Sequence, residues 1–409
     1  MEKVVPIEKL QYEFTLIPVL HYEVAMNQLQ PDKQVCLIGV KHPLRNRVII
    51  HPFSGFPLQL KKKSYNAMRE RAETVIRFLN FVIENNHKYK LKTFSDLNIE
   101  QGMAYLDSLV EKGVTEKYRN SEDNNLTKFY NYLAEKELLN FITTADFTWI
   151  LTKKGDYLAT LFPDARSTAK KNPRPLHNIK IDLLPFFLEL AMMVVPRIVL
   201  GVYFQFMGGL RRSEVCNVIR AGVSPSGSYG EFGMNLWLGN TFQREDLRNR
   251  NATSVKKPRT QAIEVFSDYL PRLYKTHLEN YLPTDGSGAL FSNNKGQALT
   301  SRMYTYYFNK LKKAFIKELK SYKDTNLSAY ALVLKTMKWG THIGRGIFSN
   351  VMAEVTQDQV LLMLKRGDAR PESSEAYMED TEYRKKQSRD HLDNMYKKGV
   401  KKLKDTEEI

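Results

Sequence analysis

The chain has 409 residues, of which 42% are apolar and 26% charged, so it can bury a core in two or three domains without a metal or disulfide staple. Lysine and arginine number 62 against 45 aspartates and glutamates, and the net charge of +17 favours nucleic acid or an anionic membrane surface as partner. Two distant cysteines, no His-x-x-x-His pair and no Gly-x-x-x-x-Gly-Lys-Ser/Thr loop argue against a disulfide framework, a zinc site and nucleotide hydrolysis.

No segment predicts export or membrane insertion. The amino terminus is charged and broken by Pro6, unlike a signal peptide. The longest apolar stretch, Leu190–Val195, ends at Pro196 and falls far short of the roughly 18 residues that a membrane span needs. We therefore expect no membrane-spanning segment. The two distant cysteines fit a reducing, cytoplasmic setting, and we expect a protein without a membrane partner that associates with the nucleoid when bound to DNA.

Residues 1–60 are the hardest to interpret. Short β-prone runs at Val35–Val40 and Val48–Ile50 are separated by Pro43 and Pro52. We treat this region as an amino-terminal extension of uncertain fold.

Residues 61–163 predict a helical domain. Apolar residues recur at helical spacing from Met68 to Val82, and Asn98 stands three residues before Gln101, a helix-start pattern. A third apolar face runs from Leu126 to Leu133. A solvated helix face explains the basic residues of this domain as well as DNA contact does; those we assign to DNA are Lys62, Lys63 and Arg69.

A polar, proline-containing segment at 164–175 predicts an extended linker between two domains. We expect its basic residues to lie along DNA phosphates: Arg166, Lys170, Lys171 and Arg174.

Residues 176–385 are again mostly helical, with one β-prone island. Short strands are expected at Leu236–Leu238 and Gln261–Phe266, and helices at about 268–281, 301–320, 326–337 and 345–356. The stretch between the strands is strongly basic, and its residues assigned to DNA are Arg244, Arg248, Lys257 and Arg259.

Four clusters follow one another in an order that carries the functional argument. They are Gly208-Gly209-Leu210-Arg211-Arg212-Ser213-Glu214-Val215, Lys256-Lys257, His342-Ile343-Gly344-Arg345, and Tyr377 within Ser373-Ser374-Glu375-Ala376-Tyr377-Met378. Each cluster alone is explained by surface salt bridges or by one tyrosine among many. In a helix, residues three apart share a face, so His342 and Arg345 would address the same anion. In this order the set resembles the tyrosine recombinases, the phage-integrase family, over roughly residues 60–385.

The resemblance implies a mainly α fold with a small β-sheet: a helical core-binding domain and, at 176–385, an α+β catalytic domain. It implies a site-specific DNA recombinase that works without cofactor, metal or ATP. Such an enzyme forms a 3′-phosphotyrosine and a Holliday junction as a homotetramer on paired sites of double-stranded DNA. We favour an integration or transposition role for a mobile element.

The family's functional residues carry over by motif. Arg211 and Arg345 match the two catalytic arginines, and His342 matches the histidine that assists proton transfer or holds the phosphate. Tyr377 matches the nucleophile. Lys256 matches the lysine that protonates the leaving 5′ oxygen, with Lys257 as a rival. Arg212 is expected at DNA, and Glu214 matches an acid with a structural role.

The chemistry supports these residue types independently. Arginine forks match phosphate oxygens, and clustered cations stabilise the charge that develops in phosphoryl transfer. A phosphotyrosine stores the energy of the broken bond, so rejoining needs no nucleotide.

Three positions depart from the family pattern. Asp368 stands where the family has histidine or tryptophan, and an ionised carboxylate cannot donate a hydrogen bond to phosphate. Either another donor such as Arg366 or Arg370 serves, or Asp368 has a structural or regulatory role; we favour orientation of a catalytic cation. Gly346 replaces a larger residue, and Glu264 replaces a proline.

Two alternatives remain open at this point: DNA relaxation like that of a type IB topoisomerase, and an inactive DNA-binding relative. Residues 386–409 carry an apolar stripe among lysines, which we expect to dock on a neighbouring subunit rather than on its own.

Overall fold

A computed structural model describes residues 12–25, 28–42, 47–62, 64–152, 155–167, 176–241, 243–244, 246, 255, 258–356 and 359–367. The chain forms two compact units, Met1–Asn172 and Pro173–Ile409. The division falls inside the segment 164–175, in which 168–175 lie outside the described residues.

The first unit is built on helices α1 (Gly55–Leu58), α2 (Tyr65–Glu84), α3 (Asn86–Tyr89), α4 (Ile99–Glu111) and α5 (Glu116–Glu135). The Asn98 side chain and Gln101 form the predicted capping box at the start of α4. Apolar residues predicted to share helix faces are buried: Met68, Ala72, Val75, Leu79, Val82, Leu126, Phe129, Tyr130 and Leu133. The helical pattern of this region is therefore confirmed.

An antiparallel sheet packs on these helices in the order β1 (Glu13–Ala25), β2 (Gln28–Lys41), β3 (Val48–Ile50). Phe14, Cys36 and Ile38 are buried in the same core as the helices. The Asn80 side chain on α2 accepts a hydrogen bond from the Phe14 backbone N–H at 2.8 Å and donates one to its carbonyl at 3.1 Å. The described part of the first sixty residues is thus integral to this unit.

A small antiparallel hairpin in the same unit pairs β4 (Trp149–Ile150) with β5 (Tyr157–Leu158).

A buried carboxylate joins three of the helices. Glu122 on α5 accepts hydrogen bonds from Arg77 at 2.5 Å, from the Tyr105 hydroxyl at 2.6 Å and from Thr74 at 3.0 Å. Because the charge is both paired and hydrogen-bonded, its burial is tolerated.

The second unit contains helices α6 (Leu184–Val194), α7 (Pro196–Gly208), α8 (Arg212–Asn217), α9 (Tyr269–Asn280), α10 (Ser301–Ser321), α11 (Thr325–Thr336), α12 (Ile343–Thr356) and α13 (Gln359–Arg366). Its sheet has the antiparallel order β6 (Val223–Pro225), β7 (Met234–Leu238), β8 (Arg259–Ile263). Helix α7 lies at the centre, and every residue from Ile198 to Gly208 is buried.

The predicted strands and helices of this unit are present, with ends shifted by a few residues. Helix α12 begins at Ile343, two residues before the expected start, and His342 directly precedes it. The His342 carbonyl accepts the Arg345 backbone N–H at 3.2 Å, so the histidine and the arginine are neighbours at the start of the helix.

Candidate functional site

The turn after α7 positions Arg211. Gly209 has a φ of +63°, a left-handed conformation that favours glycine, and a Cβ there would press on Phe348 of α12. The chain reverses at this glycine and Arg211 becomes the residue that caps α8. Its side chain is 29% exposed, so it is partly accessible to solvent beside the buried helix α7.

Glu214 fixes the orientation of Arg211. Its carboxylate is 0% exposed and accepts the Arg211 backbone N–H at 2.7 Å and the Arg211 Nη1 at 3.0 Å. Burial by itself would raise the pKa of Glu214, but the hydrogen bonds from Arg259 and Arg211 outweigh it and hold the pKa below its ordinary value. Glu214 is therefore a buried, ionised support.

Arg345 links two parts of the site. It is 2% exposed, and its Nη1 donates to the carbonyl of Gly209 at 2.8 Å while Nη2 donates to the carbonyl of Arg366 at 3.1 Å. One guanidinium thus contacts both the turn that presents Arg211 and the end of α13.

His342 completes the cluster. Partial desolvation lowers its pKa, and the positive charges of Arg345 and Arg211 lower it further, followed by His177 and Arg366. The imidazole is therefore held neutral near neutral pH, where one ring nitrogen donates a hydrogen bond and the other accepts one. The described residues thus bring Arg211, His342 and Arg345 together, a combination suited to an anionic phosphate group.

Two departures from the family pattern have structural explanations. A Cβ at residue 346 would collide with the backbone carbonyl of His177, so Gly346 permits a close approach that a larger residue forbids. Glu264 forms a 2.5 Å ion pair with Lys365 and ties the end of β8 to α13.

Several predicted site residues lie outside the described part of the chain. Among the catalytic assignments these are Lys256, Asp368 and Tyr377, and among the DNA assignments they are Lys63, Lys170, Lys171, Arg174, Arg248 and Lys257. The predicted tail at 386–409 also lies outside it.

The other residues assigned to DNA differ in how they are engaged. Lys62 and Arg212 are exposed, and Arg212 donates to the Thr305 hydroxyl at 2.8 Å. Surface ion pairs hold two of the others, whose side chains stay 39% and 64% exposed: Arg69 with Glu73, and Arg166 with Asp107 and Glu111. Arg244 and Arg259 are more enclosed: the Arg244 side chain is 14% exposed and pairs with Asp246, and the Arg259 side chain is 11% exposed and pairs with buried Glu214.

Sequence reasoning missed a basic surface on α10. The exposed residues of this helix fall on one face, opposite the buried Tyr304, Leu311 and Phe315. We call this face the α10 stripe; it consists of Arg302, Tyr306, Lys310, Lys313, Lys317 and Lys320. It spans about 27 Å at 1.5 Å per residue. The helical spacing of these cations can be read from the sequence. It indicates an exposed basic face only once the structure shows which face of the helix is buried.

In the described residues no helix is long and apolar enough to cross a membrane. Within the same residues, no group of three His, Cys, Asp or Glu side chains is arranged to hold a metal ion.

No protein-family model matches the sequence, and no curated protein matches it. Comparison with solved structures shows that the chain has the fold of the tyrosine recombinases, mainly α with small antiparallel sheets. A similar structure is the Tn1549 transposon integrase in complex with transposon right end DNA, with a TM-score of 0.51 and 14% identity over 83% of this chain and 98% of that chain. The same integrase in complex with circular intermediate DNA gives a TM-score of 0.50 and 14% identity, over 79% of this chain and 93% of that chain.

Proposed function

We propose that this protein is a site-specific DNA recombinase that cuts and rejoins DNA through a 3′-phosphotyrosine. The observation that carries the proposal is the proximity of Arg211, His342 and Arg345 to one another, on a chain with the tyrosine recombinase fold. The motif order that ends at Tyr377 supplies the nucleophile.

In the proposed reaction the Tyr377 oxygen attacks the scissile phosphorus, and the bond between phosphorus and the 5′ oxygen breaks. Arg211 and Arg345 hold the non-bridging oxygens, where their fixed donors stabilise the added negative charge. Neutral His342 hydrogen-bonds the phosphate or relays the nucleophile's proton. Lys256 gives its proton to the departing 5′ oxygen, so a free 5′ hydroxyl and a covalent phosphotyrosine result. Asp368 is proposed to orient one of the cations.

Duplex DNA is the proposed substrate. The α10 stripe presents cations along a length that matches several phosphates, and the net charge of +17 favours long-range attraction. Lys62 and Arg212 add exposed cations, and the basic segment 164–175 is proposed to follow the backbone. The similar integrase structures were determined in complex with DNA, which is consistent with this substrate.

We further propose that the protein acts as a homotetramer on two sites, in integration or transposition of a mobile element, with the tail docking in trans. This part depends on the family resemblance.

The test uses a library of nicked duplexes of random sequence, incubated with the full-length protein and then denatured with detergent. Covalent protein–DNA adducts are isolated and the attached strands are sequenced. We expect the wild-type protein to form adducts at a preferred sequence. Tyr377→Phe should bind DNA but form none, whereas Tyr383→Phe, the nearest neighbouring tyrosine, serves as the matched control and should keep them.

The outcomes separate the alternatives. Adducts without sequence preference, together with relaxation of supercoiled plasmid by the monomer, would favour a topoisomerase. DNA binding without any adduct in the wild type would indicate an inactive relative. Adduct formation by Tyr377→Phe would place the nucleophile elsewhere.

A further inference from the structure

Arg259 is held inside the second unit and does not extend into solvent. It begins β8, its side chain is 11% exposed, and Nη1 and Nη2 donate to the two carboxylate oxygens of Glu214 at 2.8 and 3.1 Å. Its Nε donates to the Gln261 side chain at 3.0 Å. This bidentate pairing fixes the plane of the Glu214 carboxylate, whereas a lysine ammonium, which acts as a point charge, would not fix it.

The same carboxylate holds Arg211 through its backbone N–H and its Nη1. Two arginines thus share one fully buried acid, one from β8 and one from the turn before α8. If Arg259 were lost, Glu214 would keep its charge in a buried place and would draw Arg211 toward itself, away from the open side of the site.

Arg259 also contacts the end of α13. A Cβ at Gly367 would overlap the Arg259 guanidinium. The Arg259 side chain therefore lies closer to the backbone of residue 367 than any residue other than glycine would allow. Next to this contact, the Gln261 side chain donates to the carbonyl of Lys365 at 2.7 Å, and Arg345 donates to the carbonyl of Arg366. Gly367 is the last described residue before the part of the sequence that carries Asp368 and Tyr377.

We propose that Arg259 is a positioning residue for strand cleavage: through Glu214 it sets the orientation of Arg211. The proposal rests on the proposed function and assigns Arg259 a role other than the DNA contact expected from sequence. A residue of this kind changes the rate of the bound complex, whereas a phosphate contact changes affinity and its salt dependence.

The experiment compares wild type, Arg259→Ala, Arg259→Lys, Glu214→Gln and the double variant Arg259→Ala/Glu214→Gln. Single-turnover cleavage is measured at saturating protein on the nicked duplex recovered by adduct selection. Affinity for the same duplex is measured at several salt concentrations. Arg272→Ala, which removes a surface arginine paired with Glu189, is the matched control.

We expect Arg259→Ala to slow cleavage about 100-fold, since small misplacements of reacting groups cost that much. Its affinity and salt slope should match those of Arg272→Ala. The double variant should cleave no more slowly than Glu214→Gln alone, because both changes break one unit. Added guanidinium chloride should partly restore the cleavage rate of Arg259→Ala. The increase should exceed that caused by sodium chloride at the same concentration. Arg259→Lys, which keeps the charge and the fold but loses the fork, should be intermediate.

Three outcomes would overturn the inference. A wild-type cleavage rate in Arg259→Lys and Arg259→Ala would show that the contact is dispensable. A salt slope lowered by about 0.9 with unchanged cleavage at saturation would make Arg259 a phosphate contact. If the fold-reductions in cleavage rate of the two single variants multiplied in the double variant, Arg259 and Glu214 would act independently. Failure of the proposed function itself is distinct from these, because the wild-type protein would then form no adduct.

Discussion

At the scale of single residues, the candidate site depends on charges that are buried together with their partners. Arg345 is 2% exposed and donates to two backbone carbonyls, and Glu214 is 0% exposed between two arginines. Buried charges persist only when hydrogen bonds satisfy them. The result is a set of hydrogen-bond donors whose directions are fixed by the fold.

His277 makes the stability of the second unit depend on pH. It is 1% exposed, and its Nε2 donates to the Leu290 carbonyl at 3.0 Å. Burial lowers its pKa from 6.5 to about 4, and Arg197 contributes in the same direction. The unfolded chain takes up a proton near pH 6.5 and the folded chain only near pH 4, so stability is lost as pH falls through this window.

We expect the free energy of unfolding to fall by about 2 kcal/mol between pH 7.5 and pH 5 through this residue. Urea unfolding followed by circular dichroism at both pH values measures it. His277→Gln should remove this part of the pH dependence, and His87→Gln, at an exposed histidine, should not. An equal pH dependence in wild type and His277→Gln would contradict the assignment.

Gly346 gives a second prediction at this scale. A methyl group there would strike the His177 carbonyl, and overpacking of a tight core costs about 1–3 kcal/mol. Gly346→Ala should therefore lower the free energy of unfolding by that amount and slow cleavage, because residue 346 follows Arg345. Gly340→Ala is the control, since a Cβ at Gly340 meets nothing within 4 Å. Thermal unfolding of both variants decides the matter; equal stability of the two would refute the steric explanation.

At the scale of elements, α10 carries an apolar packing face and an exposed basic face on opposite sides. Its apolar face packs in the core of the second unit, and the α10 stripe leaves four lysines and an arginine exposed. Arg212, which follows Arg211, bonds to Thr305 on the same helix. A DNA backbone along the α10 stripe would thus be connected to the candidate site through one side chain.

The α10 stripe predicts a change in the salt dependence of DNA binding. Each phosphate contact contributes about −0.9 to the slope of log affinity against log salt, so replacing Lys313, Lys317 and Lys320 by glutamine should flatten the slope by up to about 2.7. Fluorescence anisotropy with a 40-base-pair duplex measures it. The control replaces Lys275, Lys295 and Lys335, exposed lysines on other elements, and should leave a steeper slope at the same net charge. Identical slopes in the two triple variants would exclude the α10 stripe from the interface.

At the scale of the whole molecule, the proposed function gives positive charge two roles, attraction of DNA and stabilisation of charge in the reaction. The chain carries +17 overall, and in the second unit Arg211, Arg345 and His342 concentrate donors at one place. In the proposed reaction this cluster would supply the charge stabilisation that a divalent ion supplies in many phosphoryl-transfer sites.

Cleavage of the nicked duplex should therefore persist in excess EDTA, at a rate within about twofold of that with Mg²⁺. Parallel reactions with EDTA and with EDTA presaturated with Mg²⁺ keep ionic strength comparable. Loss of adduct in EDTA that Mg²⁺ restores would require a metal in the mechanism.

The sequence by itself determined the helices of both units and the order of the functional motifs. Periodic burial from Met68 to Val82 and the Asn98–Gln101 capping box are local patterns, and local patterns are readable without a fold. The motif order likewise pointed to Arg211, His342 and Arg345 together.

The tertiary structure decided what no local pattern encodes. Arg259 pairs with Glu214 across 45 positions, and Arg345 bonds to Gly209 across 136. Such contacts form only when β8, α8, α12 and α13 pack, because a charge finds its partner through the fold and not through its neighbours in sequence.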